Sequence, residues 1–354
     1  MSDKKKLTVA MSGGIDSAVA ALLSIREGYD VKGATMTLCK KIDAEGNDLT
    51  SQDVADAKAV CDRIGIEHKV YELEDKFHET VIRDFVDTYI SGGTPNPCIV
   101  CNKLLKFGIL LDEAIADGAD LIATGHYARI ERRDDGRYLL KKAADAQKDQ
   151  TYMLWSLSQH QLSHTVFPLG SLTKSEIRKI GEDSGFVIAH KSDSQDICFV
   201  PDGDYASFIE KEIGEKYPAG DYVDEDGNVL GRHKGIIHYT IGQRKGLGIS
   251  MGRHIFVTKK DAESNTVTLA DEDRLFTKTV VLKGINLIPF DSFEGKIRVY
   301  AKIRYRHAES PTYAEITGED EITLTFDEPQ RAPARGQSAV MYDGDYVIGG
   351  GIIQ

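Results

Sequence analysis

A short apolar run followed by a glycine pair, near the amino terminus, constrains this chain more than any other feature. Residues 7–11 (Leu-Thr-Val-Ala-Met) have the pattern of a buried strand, and residues 18–23 are helix formers. Between them, Gly13 and Gly14 permit a tight turn and the close approach of a ligand. The free backbone N–H groups at the start of the following helix, together with the helix dipole, favour an anion. The stretch therefore predicts a phosphate-binding corner between a strand and a helix.

The side chains around the two glycines support this interpretation. Ser12 and Ser17 flank the turn, and Asp16 supplies a carboxylate that would hold Mg²⁺ against phosphate oxygens. No Gly-Lys-Ser/Thr ending follows, so this is not the P-loop of kinases and GTPases. The motif resembles the SGGxDS loop of the ATP pyrophosphatase superfamily, whose members adenylate a carbonyl oxygen and release pyrophosphate. An ordinary strand–turn–helix corner is the alternative, and the strand context with both hydroxyls favours the phosphate site.

Strands and helices alternate through the first third of the chain. The hydrophobic periods predict strands over 29–38, 67–73 and 120–124, and helices over 54–64, 77–90 and 103–116. Such alternation predicts an α/β fold with a parallel sheet covered on both faces. Ligands of these sheets bind beyond the carboxyl ends of the strands. We therefore expect Met36 and Gly125, at this rim, to contact adenine and ribose.

The remainder of the chain changes character at about residue 205. Before it, residues 129–140 predict a hairpin that turns at Asp135-Gly136, and Thr173 to Glu176 form a capping box for a helix to about Ser184. After it, helical periods fade and short strands with turn signals take over. We expect an N-terminal ATP pyrophosphatase domain over 1–205, a small central domain over 206–286 and a C-terminal antiparallel β-barrel over 287–354.

The composition excludes several classes of protein. No apolar run approaches the length of a membrane span, and the polar start of the chain does not resemble a signal peptide. We therefore expect a cytoplasmic protein that does not act at a membrane. The net charge of −12 argues against non-specific nucleic-acid binding by the whole surface, although local basic patches remain compatible with it. Five cysteines in a chain of 354 residues do not resemble a secreted disulfide framework.

Three of the five cysteines form a second chemical centre. Cys98 and Cys101 follow two prolines near a predicted helix start, where the dipole lowers the pKa of a thiol. Cys198 lies about a hundred residues later, beside Ser194-Gln195-Asp196. A C-x-x-C pair fits a redox couple, half of a zinc site or an iron–sulfur ligand pair. We interpret Cys39 and Cys61 as structural.

A series of motifs resembles one family throughout the chain. In order, AMSGGIDS, TPNPCIVCNK, ATGHYARI, KDQTYML, SQDICF, HYTIGQRKGLGI, KIRYR and GQSAVMYDGDYVIGGGII are similar to the tRNA-specific 2-thiouridylases. The resemblance runs from about residue 7 to the C-terminus. The first motif specifies only the superfamily, whereas the cysteine pair, the later cysteine and the GQRKGLG stretch are far more specific.

The resemblance implies a sulfur transfer to the wobble uridine of tRNA. The uridine O2 would attack the α-phosphate of ATP, and a persulfide on Cys198 would replace the adenylated oxygen. Cys101 would then either attack the Cys198 persulfide bond or help to release sulfide, and a transient Cys101–Cys198 disulfide would remain. A cysteine desulfurase or a sulfur-carrier protein would load the sulfur. The ATP site implied by the motif comprises Ala10, Met11, Ser12, Gly13, Gly14, Ile15, Asp16, Ser17, Met36 and Gly125.

Cys98 departs from the pattern of the family, because many members have aspartate there as a base near the target uridine. One alternative is that Cys98, Cys101 and Cys198 hold a [4Fe–4S] cluster that carries sulfide on its open iron. Another is that Cys98 is a spectator thiol in place of the aspartate. The sequence leaves the persulfide route and the cluster route open.

Two basic runs without acidic residues predict the tRNA surface: residues 231–254 and residues 296–307, where all five cations lie at even-numbered positions and would share one strand face. A solvated strand face is the alternative for either run. The resemblance further implies that Asn96, Pro97 and Cys98 meet the target base. It also implies that His126, Lys148, Asp149, Gln150, Arg304, Tyr305 and Gln337 contact the anticodon arm.

Two rival functions remain. An amide-forming synthetase would use the Ser12 loop but would need neither Cys101 nor Cys198. An ATP-sensing RNA-binding protein would bind ATP without consuming it, and the loss of Cys198 would leave it unchanged.

Overall fold

A computed structural model describes residues 4–39, 49–186 and 197–354 of the chain. These residues form two compact units. Unit 1 comprises Met1–Val81, Cys98–Gln195 and Gly344–Ile348, and unit 2 comprises Ile82–Pro97, Asp196–Asp343 and Gly349–Gln354.

Unit 1 contains a five-stranded parallel sheet with the order β3-β2-β1-β4-β7. Its central strand β1 pairs with β2 from Lys6↔Asp30 to Ala10↔Ala34 and with β4 on its other side. The three strands predicted after the first one are confirmed, with slightly shorter bounds. The strands are β1 (Lys6–Ala10), β2 (Asp30–Thr37), β3 (His68–Glu72), β4 (Leu121–Ala123) and β7 (Thr165–Val166).

The helices of the first 186 residues follow the predicted order. The capping box that opens α8 is confirmed, because the Thr173 hydroxyl accepts from the N–H of Glu176 and the Glu176 carboxylate accepts from the N–H of Thr173. The helices are α1 (Ile15–Arg26), α2 (Leu49–Ile64), α3 (Glu74–Phe77), α4 (Arg83–Ile90), α5 (Pro97–Val100), α6 (Leu110–Ala116), α7 (Gln159–Ser163) and α8 (Lys174–Asp183).

One predicted helix boundary was wrong. The helix predicted over 103–116 begins at Pro97, and π-helical turns over Cys101–Ile109 join α5 to α6. A proline is well suited to the first helical position, because the N–H that it lacks would have no partner there. Cys98 and Cys101 therefore lie within the first turns of the helix rather than before it.

The core of unit 1 lies around β1 and α1. Leu7 and Val9 of β1 are buried with Ala18 and Val19 of α1, and Ile177 of α8 joins them. Each of the leucine, valine and isoleucine side chains contributes roughly 1.5–3 kcal/mol when it is fully removed from water. The strand and the helix on either side of the glycine turn are therefore anchored in one core, which fixes the turn between them.

An antiparallel hairpin of β5 (Ala128–Arg132) and β6 (Tyr138–Lys142) also belongs to unit 1, and it confirms the hairpin predicted over 129–140. Residues 344–348 belong to the same unit, and within it Tyr346 pairs with Lys141 of β6.

Unit 2 holds a small mixed sheet and a closed antiparallel barrel, which confirms the change of character after residue 205. Helix α9 (Tyr205–Ile213) precedes the mixed sheet, whose strand order is β10-β11-β8-β9. The mixed sheet comprises β8 (Gly220–Val223), β9 (Val229–His233), β10 (Phe256–Asp261) and β11 (Thr266–Ala270).

The barrel has the strand order β12-β15-β14-β13-β16-β17 and closes where β12 pairs with β17, at Leu282↔Ile353 and Leu287↔Gly349. Its first strand crosses the boundary predicted at 286/287, and the division into 1–205, 206–286 and 287–354 stays a prediction. The barrel strands are β12 (Phe276–Leu287), β13 (Lys296–Lys302), β14 (Ser310–Gly318), β15 (Glu321–Arg331), β16 (Ser338–Asp343) and β17 (Tyr346–Ile353).

Among the helices of residues 4–39, 49–186 and 197–354, none is both long and apolar enough to cross a membrane.

A buried lysine in unit 2 supports the loop that precedes Asn96. Lys260 of β10 is 9% exposed, and its Nζ donates to the carbonyl of Gly93 over 3.1 Å. Its ammonium also lies 5.7 Å from the ring centre of Tyr89. Burial lowers the pKa of Lys260 from 10.5 to about 8, because the charged form loses its hydration.

This pKa predicts a stability difference that depends on pH. Between pH 8 and 10.5 the unfolded chain retains the Lys260 proton while the folded chain releases it, so the cost of burying this lysine falls and the free energy of unfolding rises with pH. Relative to a Lys260→Met variant, the wild-type protein should therefore gain about 1 kcal/mol of unfolding free energy from pH 7 to pH 9. Urea unfolding of both proteins at several pH values measures the difference.

Lys259→Met provides the matched control, because Lys259 is the exposed neighbour on the same strand. Its stability difference from the wild type should stay flat over this range. A flat difference for Lys260→Met as well would show that Lys260 keeps an ordinary pKa in the folded protein.

Candidate active site

The glycine turn after β1 is held in shape by the two serines that flank it. The Ser17 hydroxyl accepts from the N–H of Ser12 over 3.1 Å and donates to the carbonyl of Gly14 over 2.9 Å. Gly13 has a φ of +72°, and a Cβ there would lie 2.6 Å from the carbonyl oxygen of Asp53. A side chain at Gly13 is therefore disfavoured both by the positive φ and by the lack of space beside Asp53.

The start of α1 retains its capacity to bind an anion. The helix begins at Ile15, and no side chain caps it at Gly14. The first N–H groups of a helix have no intrahelical acceptor, and the helix dipole adds positive potential at this end. The turn therefore presents backbone donors where a phosphate would bind, as predicted for the Ser12 loop.

The loop lies where the order of the strands reverses. From β1, the chain builds the sheet outwards through β2 and β3, and then continues on the other side of β1 with β4 and β7. Ligands of open parallel sheets bind at this switch point. Gly125, directly after β4, packs so closely that a Cβ on it would lie 2.9 Å from both the Asp16 carbonyl carbon and the Ser17 nitrogen. The structure therefore brings Gly125 to the Ser12 loop.

Met36 lies near the same rim, at the carboxyl end of β2, and is partly exposed. Its neighbour Thr35 donates its hydroxyl hydrogen to the carbonyl of Met11 over 2.9 Å and lies 2.8 Å from Nε2 of His68. These bonds connect β2 and β3 to the residue that precedes Ser12, and burial lowers the pKa of His68.

The Asp16 carboxylate is engaged by two side chains that sequence analysis did not identify as site residues. The Tyr127 hydroxyl donates to Oδ1 over 2.8 Å. The Lys174 ammonium lies 2.8 Å from Oδ1 and 2.8 Å from Oδ2, and Lys174 is only 7% exposed. The sequence showed Lys174 only as part of a capping box, and no motif indicated its distant partner.

The C-x-x-C pair places one thiol at the surface and the other in the interior of unit 1. Cys98 is exposed, whereas Cys101 is 8% exposed. Beside Cys101, the Asn102 amide is buried and donates to the carbonyl of Met153 over 2.9 Å. Asn102 therefore fixes the part of the helix that carries Cys101.

Cys198 belongs to unit 2 and is exposed on a short turn, in which the N–H of Val200 donates to the carbonyl of Ile197 over 3.0 Å. The next residue anchors the turn, because the Phe199 ring packs against Phe85 and Phe208 with centroid distances of 5.2 and 5.3 Å. The Cys198 thiol is therefore exposed, while the aromatic packing of Phe199 fixes the position of the turn. The motif residues 194–196 lie outside the described residues.

The segment before Pro97 is clamped within unit 2. The Gln337 amide donates to the carbonyls of Thr94 and Pro95 over 3.1 and 3.0 Å, and the N–H of Thr94 donates to the carbonyl of Arg335 over 2.7 Å. Asn96 and Pro97, predicted to meet the target base, follow directly. The structure therefore gives Gln337 a contact with this segment, in addition to the predicted contact with tRNA.

Three residues predicted to contact tRNA have structural partners inside unit 1. His126 is 9% exposed, its Nδ1 lies 2.6 Å from the Thr124 hydroxyl, and burial holds its pKa well below the usual value. The Gln150 side-chain oxygen accepts from the N–H of Tyr127, and the Gln150 N–H donates to the carbonyl of Tyr127, each over 2.9 Å. The Asp149 carboxylate accepts from the N–H of Ala143 over 3.0 Å. Lys148 is partly exposed.

The interpretation of residues 296–307 as one basic strand face was wrong in its extent, and the face is not purely basic. Strand β13 ends at Lys302, so Arg304, Tyr305 and Arg306 lie beyond it. Acidic side chains of β14, of β15 and of the residue just before β14 also pair with the cations of this face. The pairs are Lys296 with Glu315 at 3.5 Å, Arg298 with Asp327 at 2.6 Å, and Lys302 with Glu309 at 3.7 Å.

Arg304 donates to the carbonyl of Ala332, and it is partly buried, as is Tyr305. The acidic partners were not visible in the run of residues 296–307, because they come from other parts of the chain.

The other basic run, residues 231–254, is only partly paired. Arg232 pairs with Asp221 at 3.0 Å, and Arg253 pairs with Asp271. Lys234, Arg244 and Lys245 are exposed, and no acidic side chain of the described chain pairs with them. Their charge is therefore available to a phosphate backbone.

Within residues 4–39, 49–186 and 197–354, no group of three or more His, Cys, Asp or Glu side chains is arranged to hold a metal ion.

Family profiles match the chain in three consecutive segments. They are described as a tRNA methyl transferase HUP domain over residues 5–202, a tRNA methyl transferase PRC-barrel domain over 206–271 and an aminomethyltransferase beta-barrel domain over 277–353. The first profile alone covers more than half of the chain.

Curated relatives match over nearly the full length. A tRNA-specific 2-thiouridylase MnmA of Clostridioides difficile is 48% identical, over 99% of this chain and 98% of the relative. Proteins of the same name from Treponema denticola and Acetivibrio thermocellus are each 46% identical, over 99% of this chain and 98% and 99% of the relatives.

Similarity to solved structures is weaker. A U34-tRNA thiolase of Methanococcus maripaludis, solved with its [4Fe–4S] cluster, aligns at 22% identity with a TM-score of 0.36. The alignment covers 59% of this chain and 68% of that chain, and the TM-score is too low to support a statement about this chain.

The close packing at Gly125 generates a prediction for ATP. A Gly125→Ala variant should bind ATP about tenfold more weakly or worse, because the new methyl displaces the backbone of Asp16 and Ser17. Titration calorimetry measures the affinity. Thr124→Ser is the control, since it retains the hydroxyl beside His126 and should bind ATP as the wild type does. Unchanged affinity in a folded Gly125→Ala variant would contradict a role of this contact in the ATP site.

Proposed function

This chain belongs to the family of tRNA-specific 2-thiouridylases, and we propose that it carries out the ATP-dependent 2-thiolation of the wobble uridine of tRNA. The observation that carries the proposal is the Ser12 loop, which presents backbone donors for an anion at the switch point of the sheet, in the same unit as Cys101. ATP and Mg²⁺ are the cosubstrates that such a loop serves. The full-length match supports one enzyme that combines nucleotide chemistry with tRNA binding.

The first step is activation of the base. The uridine O2 attacks the α-phosphate of ATP, a bond forms between O2 and the α-phosphorus, and the bond to the bridging oxygen breaks to release pyrophosphate. Residues 10–17, Met36 and Gly125 would bind the nucleotide. The backbone donors at the start of α1 stabilise the charge that develops on the phosphates. A carbonyl oxygen is a poor leaving group, whereas AMP is a good one.

The second step transfers sulfur. The terminal sulfur of a Cys198 persulfide attacks C2 of the adenylated uridine, and AMP leaves. The Cys101 thiolate then attacks Sγ of Cys198, which breaks the remaining sulfur–sulfur bond and releases the 2-thiouridine. The product is a Cys101–Cys198 disulfide, and an external thiol must reduce it by two electrons before the next turnover. The exposure of Cys198 supports its loading by a desulfurase or a carrier protein.

Binding of the tRNA requires local positive charge on a chain of net charge −12. We assign this role first to Lys234, Arg244 and Lys245, because they are exposed and no acidic side chain in the part of the chain that the structure describes pairs with them. The wobble base must leave its stack to reach the nucleotide. The segment of Asn96, Pro97 and Cys98 would receive it, and the roles predicted for Lys148, Asp149, Gln150, His126, Arg304, Tyr305 and Gln337 stay predictions.

Replacement of Cys198 separates the two steps. A Cys198→Ser variant should lose tRNA thiolation, because no persulfide can form, while it still releases pyrophosphate from ATP in the presence of unmodified tRNA. Measurement of both products on one sample tests the order of the steps. Cys39→Ser is the control and should retain both activities. Retained thiolation in Cys198→Ser would overturn the sulfur-transfer mechanism.

Iron analysis after anaerobic purification decides between the two carriers of sulfur. We expect iron-free protein to thiolate tRNA when supplied with a desulfurase and cysteine. About four irons per chain, with activity lost on chelation, would instead establish a [4Fe–4S] cluster and make Cys98 a ligand.

The pairing of the basic residues predicts which of them matter for tRNA binding. An Arg244→Ala/Lys245→Ala variant should weaken tRNA binding and reduce the slope of log affinity against log salt by about 1.4–1.8, the value for two phosphate contacts. Arg298→Ala should change the affinity less than about twofold, because Asp327 already neutralises Arg298. Filter binding at several salt concentrations measures both. A larger effect of Arg298→Ala would overturn this assignment.

A further inference from the structure

A buried lysine at the Ser12 loop has no role in the mechanism described so far. Lys174 Nζ lies 2.8 Å from each oxygen of the Asp16 carboxylate, and the residue is 7% exposed. Burial of a lysine ammonium is costly even when it pairs well with a partly buried aspartate, and an apolar side chain in its place is often as stable. Stability alone therefore does not explain why the Lys174–Asp16 pair is present, whereas a role in function would.

The position of Lys174 is fixed by the packing of its helix. The Asp145 carboxylate accepts from the backbone N–H of Lys174 over 3.0 Å, and the Thr173–Glu176 capping box closes the same turn. Further along α8, Gly181 packs against Ile15, where a Cβ would lie 2.2 Å from Ile15 Cδ1. Helix α8 is thus held tightly against the first turn of α1, and Lys174 meets Asp16 because of this fixed packing.

Lys174 and a metal ion would compete for the Asp16 carboxylate. The ammonium contacts both carboxylate oxygens, and these are the oxygens that Mg²⁺ would require. An ammonium and a divalent cation at the same carboxylate also repel each other. The residues fit the metal in charge and donor type, and a Mg²⁺ ion bound at one Asp16 oxygen would weaken the hold of that carboxylate on the ammonium.

We propose that Lys174 is a phosphate-binding residue of the ATP site that exchanges partners when Mg·ATP binds. Without nucleotide, Lys174 neutralises Asp16. In the presence of Mg·ATP, Asp16 would hold the metal ion, and the Lys174 ammonium would move on its flexible four-carbon side chain to a phosphate oxygen. The exchange keeps each charge paired in both states. This inference rests on the proposed ATP-dependent function and names a residue for it that the Ser12 motif does not contain.

Tyr127 supports the exchange. Its hydroxyl donates to Asp16 Oδ1, and its ring centre lies 5.8 Å from the Lys174 ammonium. The hydroxyl bond does not depend on Lys174, so Tyr127 keeps the carboxylate oriented after the ammonium moves. Tyr127 is itself held by Gln150, whose side chain and backbone both bond to the backbone of Tyr127.

Binding measurements on Lys174→Met test the proposal. Mg·ATP should bind about 10- to 100-fold more weakly, because one charge-assisted contact to phosphate is lost. Mg²⁺ alone should bind more tightly than in the wild type, since its competitor at Asp16 is gone. Lys179→Met, on the exposed face of the same helix, should match the wild type in both titrations. Calorimetry with Mg²⁺ alone and with Mg·ATP provides the two readouts.

A second variant covers the case in which Lys174→Met does not fold with an unpaired Asp16. An Asp16→Asn/Lys174→Met variant leaves no unpaired charge, so it should be as stable as the wild type without nucleotide while binding Mg·ATP weakly. Mg·ATP affinity within about twofold of the wild type in either variant would overturn the proposal. A failure of the proposed function is distinguishable, because then the wild-type protein itself would release no pyrophosphate in the presence of tRNA.

Discussion

The close contact between Gly125 and the backbone of Asp16 and Ser17 is the constraint on which the arrangement of unit 1 depends. It joins the loop after β1 to the loop after β4, the two strands between which the sheet reverses its order. Any side chain at Gly125 would force these loops apart. Since Tyr127 and His126 follow Gly125 directly, the same contact also determines where the Tyr127 hydroxyl reaches Asp16 and where His126 enters the interior.

The local parts of this arrangement were predictable from sequence, and the distant ones were not. The Ser12 loop, the parallel strands and the Thr173 capping box each depend on residues that are near neighbours in the chain. The pairing of Lys174 with Asp16 spans 158 residues and leaves no periodic or motif signal. The start of the helix at Pro97 was missed because Pro95 and Pro97 were both placed before the helix, although a proline is favourable at the first helical position.

The basic run at 296–307 shows a further limit of sequence analysis. Alternation along one strand correctly placed Lys296 and Arg298 on one face, but the charge of a face depends on the neighbouring strands as well. Glu315 and Asp327 come from β14 and β15, and the register of these strands is not visible in the run itself. A salt bridge at the surface contributes little stability, yet it decides whether a cation must give up a partner before it binds a phosphate.

The cysteines differ in exposure, and this difference fits the chemical roles proposed for them. A thiol that receives sulfur from another protein must be accessible, and Cys198 is exposed on a turn anchored by Phe199. A thiol that resolves a persulfide benefits from protection against outside oxidants, and Cys101 is buried beside the fixed amide of Asn102. Cys61 is inert for a different reason, because burial raises its pKa to about 11 and the thiolate does not form near neutral pH. The thiols differ in exposure because the surrounding helix, turn or core controls access to each sulfur.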